Sequence, residues 1–163
     1  LDAAHNLARW LMRNQQDAED VVQESCMKAL RAWPDFRGGD FRPWFLAIVR
    51  NTSFTRLRRP MDAAGNPIEQ RLETGAEVAA ESSAFDPQAI AIRAADAEAV
   101  RTAIAALPEV LREAVVLREM QGMSYKEIGK IAGVPIGTVM SRLSRGRAQL
   151  QALLLSTNTG GMP

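Results

Sequence analysis

The sequence predicts an all-α protein: two small helical domains joined by a flexible acidic linker, the C-terminal one a helix-turn-helix. Three observations carry this expectation. Apolar residues recur every three or four positions. Gly and Pro interrupt those runs at short intervals. Ala, Leu, Arg and Glu dominate, while runs of β-branched and aromatic residues are few.

The elements follow in order. A first helix is expected over about Ala3 to Arg13, broken at Gln15-Gln16. Asp17 then caps a second, with Asp20 at its third position. Over Ala18 to Trp33 the residues Ala18, Val22, Ala29 and Trp33 form an apolar stripe, widened by Val21, Cys26 and Leu30. Pro34 ends it. "DFRGGDFRP" reads as a loop, and Pro43 restarts a helix over Trp44 to Arg59, with Trp44, Ile48 and Val49 on its apolar side. From Pro60 the chain is acidic, rich in small residues and aperiodic, as a solvated linker is. A helix resumes near Gln88 and runs toward Ala106. Three short helices follow over about Glu109–Gln121, Tyr125–Ala132 and Pro135–Leu154. The expected division is residues 1–59, a linker at 60–98 that turns helical toward its end, a domain at 99–155, and a disordered tail at 156–163.

Charge is organised rather than evenly mixed. The net charge is only +1, yet residues 41–59 hold five arginines and no acid, and residues 60–106 hold eight acids against three bases. Two basic stretches separated by an acidic one suggest two surfaces for a polyanion, joined by a segment that avoids it. Between Gln121 and Arg147 the local signals agree. Gly122 closes one helix, Ser124 and Glu127 form a capping box, Gly133 supplies a turn, and Pro135 opens the last helix. On that helix Val139, Leu143, Gly146 and Leu150 share one arc and face the core with Ile128 and Ile131. The opposite face shows Gly137, Ser141, Ser144 and Arg145, edged by Met140, Arg142 and Arg147, without an acid. Small and hydrogen-bonding groups ringed by arginines suit base edges and phosphates in a major groove, although any lone arginine is equally well a solvated charge.

The N-terminal basic stretch interleaves Arg42, Arg50, Arg56, Arg58 and Arg59 with Trp44, Phe45 and Phe54, a pattern that suits single-stranded nucleic acid. Trp44 and Phe45 read more simply as core, and Asn51 is the better base reader. Upstream, Asp17 and Glu19 suit a helix N-terminus, whereas Glu24 lies too deep for that role and pairs with Asp20, Gln23 and Met27 as a face for a protein partner. One cysteine, Cys26, and one histidine, His5, cannot build a zinc site. No catalytic triad, carboxylate dyad or phosphate-cradling loop is present, so a non-enzyme without cofactor or metal is expected. No apolar run nears a membrane span and no signal peptide is visible, so a cytoplasmic protein without membrane insertion is expected. Since the chain opens at Leu1, an N-terminal stretch is expected to be missing.

"DAEDVVQESCMKALRAW", "FRGGDFRPWFLAIVRNTSFTRLRR" and "ALPEVLREAVVLREMQGMSYKEIGKIAGVPIGTVMSRLSRGRAQL", in that order, resemble a bacterial sigma factor of the extracytoplasmic-function (ECF) group. The resemblance covers about residues 1–59 and 99–153. It implies an alternative sigma factor that joins core RNA polymerase, directs promoter recognition and opens the −10 element. Asp20, Gln23, Glu24 and Met27 would then dock on the β′ clamp helices. Gly39, Asp40, Phe41, Arg50 and Asn51 would capture the melted −10 strand, with Arg56, Arg58 and Arg59 on its backbone. Met140, Ser141 and Ser144 would read the −35 duplex, with Lys126, Arg142, Arg145 and Arg147 as phosphate contacts or helix anchors in a domain that also touches the β-flap. An anti-sigma factor is a further implied partner. Thr55 and the bulky Phe54 depart from the family pattern after "RN", as does Met140 where Arg or Lys is common. From the residues alone, a stand-alone helix-turn-helix regulator and a helical protein-interaction adaptor remain open.

Overall fold

The computed structural model describes residues 1–58 and 87–159, with backbone alone for 87–95 and 158–159. Every regular element in them is helical. The order is α1 (Asp2–Leu11), α2 (Gln15–Ala32), a 3₁₀ turn (Trp33–Asp35), α3 (Phe41–Leu57), α4 (Pro87–Ala105), α5 (Glu109–Val115) running into a π-type turn (Val116–Met120), α6 (Tyr125–Ala132) and α7 (Ile136–Thr159). Among the described residues no helix is long and apolar enough to cross a membrane.

Helix ends follow side-chain chemistry. Asn14, not Asp17, caps α2: its side-chain oxygen accepts from the Asp17 amide at 2.7 Å, so the helix begins two residues before the expected cap. Asp40 caps α3 by accepting from the Arg42 amide, which starts that helix at Phe41 rather than Trp44. The Ser124–Glu127 capping box is formed in both directions, and Gly133 closes α6 with φ +68°, a left-handed conformation that favours glycine. The last helix continues to Thr159, so Ser156 to Thr159 belong to α7 and not to a disordered tail. The expected linker falls largely on residues outside the described ones.

Helices α1–α3 pack mutually around Leu7, Leu11, Val21, Leu46 and Val49. Helices α5–α7 close around Leu117, Ile128, Ile131, Val139 and Leu143. These two groups do not stand apart. Helix α3 lies on α6 and α1 on α5, and their buried apolar residues form one continuous core. Burying apolar surface drives that union as it drives each half.

Two members of the expected core stripe on α2 lie outside it. Leu30 is 71% exposed and Trp33 is 56% exposed. Ala18, Val21, Val22, Ser25 and Ala29 form the buried face instead, and Ser25 satisfies its hydroxyl on the Val21 carbonyl at 2.6 Å. Trp33 turns away and joins Phe36, Phe41 and Trp44 in an aromatic cluster beside the Gly38-Gly39 loop.

Candidate nucleic-acid and protein interfaces

On the outer side of α2, Asp20, Gln23, Glu24 and Met27 follow one another at helical spacing and form one face. Gln23, Glu24 and Met27 are exposed and Asp20 is half-buried. Glu24 pairs with Lys28 at 2.8 Å, and Asp20 lies 3.5 Å from Arg56. Exposed pairs of this kind are worth about 0–1 kcal/mol and exchange readily for an outside cation. Leu30 and Trp33 extend the face, making it acidic at one end and apolar at the other. Sequence reasoning assigned both to the core. Their place three and six residues after Met27 was the signal available.

The loop before α3 turns on Gly38 and Gly39, with φ +87° and +99°. No atom lies where a Cβ would sit, so the glycines serve backbone conformation rather than close packing. Asp40 commits its carboxylate to the helix cap. Phe41 is exposed at the loop's edge and stacks on the buried Phe45 at 5.5 Å. Farther along α3, Asn51 and Thr55 share one exposed side, and Arg58, just past the helix end, is also exposed. Arg50 is turned inward. Its Nε donates to Glu113 at 2.6 Å, its Nη1 donates to Asn51 at 3.3 Å, and its guanidinium lies over the Phe54 ring. Arg56 faces Asp20. Arg59 lies outside the described residues. Of the residues read as −10 contacts, Gly39, Asp40, Phe41, Asn51 and Arg58 share an outward aspect, while Arg50 is taken up inside the molecule.

The third surface is the outer face of α7. Gly137, Met140, Ser141, Ser144 and Arg145 are exposed along its first half, joined by Ile136, which sequence reasoning passed over. No acid interrupts them. Val139, Leu143 and Gly146 face inward as the arc required, and a Cβ on Gly146 would fall 2.8 Å from Val115 Cγ2. Lys126 is exposed on α6. Arg142 is half-buried and lines a small gap with Glu113, Ile128 and Val139. Arg147 binds Glu119 at 2.7 Å, tying α7 to the turn after α5. Arg147 is thus engaged by an acid at the surface, and Arg142 lies partly buried at the inner edge of α7. The Glu113 carboxyl is pushed up by burial, against the opposing pull of Arg50 and Arg142.

The Sigma-70 region 2 family model matches residues 1–61, and the Sigma-70 region 4 model matches residues 97–150. An ECF RNA polymerase sigma factor, SigE of Mycolicibacterium smegmatis, is 35% identical over 153 residues, covering 94% of this chain and 58% of the relative. The ECF RNA polymerase sigma-E factor of Escherichia coli is 39% identical over 137 residues, covering 80% of this chain and 70% of the relative. Among solved structures, the sigma factor RpoE in complex with the anti-sigma factor NepR from Bartonella quintana is similar at a TM-score of 0.69 and 30% identity, over 94% of this chain and 90% of that one. CnrH in complex with the cytosolic domain of CnrY is similar at 0.65 and 27% identity, over 95% of this chain and 82% of that one.

Proposed function

The chain belongs to the ECF sigma factors, alternative sigma factors that direct transcription initiation by RNA polymerase, and from that premise we propose how its residues divide the work. The acidic and apolar face of α2, with Asp20, Gln23, Glu24 and Met27, docks on basic and apolar positions of the β′ clamp helices. The domain carrying α7 also touches the β-flap. The loop at Gly39, Asp40 and Phe41, together with Asn51, receives bases flipped from the −10 strand, while Arg50, Arg56, Arg58 and Arg59 follow its phosphates. Trapping unstacked bases offsets the cost of opening the duplex, so melting asks for no hydrolysis by this chain. The chain is a non-catalytic specificity subunit that works in the cytoplasm, and an anti-sigma factor holds it in check.

The outer face of α7 reads the −35 duplex. Met140, Ser141 and Ser144 meet base edges, and Lys126 and Arg145 hold phosphates beside the anchors Arg142 and Arg147. With Met140 at a reading position, no bidentate guanine contact is available there, so the −35 preference leans on shape and phosphates. The observation that carries the reading is this acid-free face, presented by a fully formed helix-turn-helix on a chain that also carries the α2 face.

Run-off transcription by core polymerase from a template library randomised at both elements tests the proposal. Added chain is expected to select a defined set of start sites. Met140→Arg is expected to shift the −35 set toward guanine, since a guanidinium can bridge O6 and N7. Transcripts unchanged by adding the chain would refute it.

A further inference from the structure

Two exposed residues of α7 do not fit a surface built only for phosphates. Ile136 and Met140 are 48% and 54% exposed. They stand one helical turn apart at the start of α7 and form a short apolar row. Single apolar side chains scattered over a surface call for no explanation, but these two adjoin each other on the helix that faces the groove. Helix α7 holds no acid along its length, and Arg145 is exposed on the same half of it. The charge around the row therefore favours a polyanion over an apolar protein surface.

Gly137 follows Ile136 and has no internal reason to be glycine. The other glycines within α6 and α7 do have one. A Cβ on Gly129 would fall 2.9 Å from the Val134 carbonyl, and one on Gly146 would fall 2.8 Å from Val115 Cγ2. At Gly137 nothing lies within 4 Å of the Cβ position, and its φ is not positive. Glycine is also less favourable than alanine in a helix. The missing side chain instead leaves a notch on the outside, where another molecule can approach the α7 backbone. Donors beside the row are partly spent within the helix. Ser141 donates its hydroxyl proton to the Thr138 carbonyl at 3.1 Å, and Arg145 Nε donates to the Ser141 carbonyl at 3.3 Å.

We infer that Ile136 and Met140 read thymine in the −35 duplex by its C5-methyl group, with the Gly137 notch admitting the base edge. This rests on the −35 role proposed above for α7, and it adds a direct contact to the preference for shape and phosphates. The methyl is the one apolar group on the major-groove edge of a base pair, and cytosine carries only hydrogen at that place. Covering it takes apolar surface out of water, which is worth about fourfold in affinity for each methyl. The two side chains suit the task differently. Ile136 is β-branched and stiff, so it fixes a position, whereas the unbranched thioether of Met140 adapts to the methyl it meets.

Removing the methyl alone tests the inference. The −35 elements selected by the full chain with core polymerase are expected to hold a fixed thymine on at least one strand. Deoxyuridine in place of each thymine in turn keeps every hydrogen-bonding group of the base. The holoenzyme is expected to bind about fourfold more weakly at one or two of these positions and to ignore the change at the others. Ile136→Ala and Met140→Ala are each expected to bind the unmodified promoter more weakly and to lose the deoxyuridine effect at one position, while Met140→Leu keeps it. Both side chains are exposed, so helicity and the unfolding midpoint should hold. Gly137→Ala adds a methyl into open space, so its midpoint should hold or rise while promoter affinity falls. Selected elements without thymine, a wild type that tolerates deoxyuridine everywhere, a deoxyuridine effect that survives in both alanine variants, or full affinity in Gly137→Ala would each overturn the inference. A promoter whose −35 element can be scrambled without loss would instead sink the role of α7, and the inference with it.

Discussion

The helix-turn-helix and the α1–α3 group carry comparable cores but were written into the sequence differently. In α6 and α7 each decision is local: a serine and a glutamate three apart start one helix, a glycine ends it, and the inward positions Val139, Leu143 and Gly146 aim the next. In α1–α3 the decisive features come from beyond the helix that carries them. Arg50 is turned inward by an acid 63 residues away, and Trp33 leaves the helical stripe for an aromatic cluster assembled across a loop. Local coding makes a site legible. Distant coding makes its state depend on what the rest of the molecule does.

Breaking the cores tests that difference at its largest. Leu46→Ala and Leu143→Ala are each expected to cost about 2–5 kcal/mol, since both side chains are fully buried. Because the halves share one core, each substitution should lower a single unfolding transition by denaturant, followed by circular dichroism. Two separate transitions would show the halves to be independent. Next in size, Gly146→Ala forces a methyl against Val115 and is expected to cost about 1–3 kcal/mol, with weaker duplex binding. Ser124→Ala removes the cap of α6 and is expected to cost about 1 kcal/mol on the same measurement.

Two smaller effects sharpen the contrast. Glu113 keeps its proton to a higher pH in the folded chain than in the unfolded one. Its contribution is therefore fully present below the ordinary carboxyl value of 4.5 and is lost as pH rises through the raised one. Denaturant midpoints taken across that window should fall for wild type relative to Glu113→Gln, which carries no such proton. Arg145→Ala, on the locally coded face, is expected to lower the salt slope of duplex binding by about one, with little change in sequence preference.

The same contrast explains what reading the sequence delivered. The bounds of α6, the turn at Gly133 and the inward arc of α7 follow from residues within one or two turns of each other, and all were legible. Leu30 was assigned to the core because periodicity reports an apolar stripe without saying whether a neighbour covers it. Asn14 was passed over as a cap because Asp17, a stronger acid signal, stood three residues on. The packing of α3 on α6 had no local sign at all. Glu113 reads as an ordinary helix residue until Arg50 is placed against it.

The most direct measurement is the affinity of the chain for bacterial core RNA polymerase, wild type against the double variant Asp20→Arg plus Glu24→Arg. Both acids lie on the outer side of α2 and hold only weak surface pairs, so the fold should survive the change. The account predicts tight binding by wild type and loss of it in the variant, with helicity unchanged. A core polymerase that ignores the wild type while duplex DNA binds it would contradict the account and leave a stand-alone helix-turn-helix regulator.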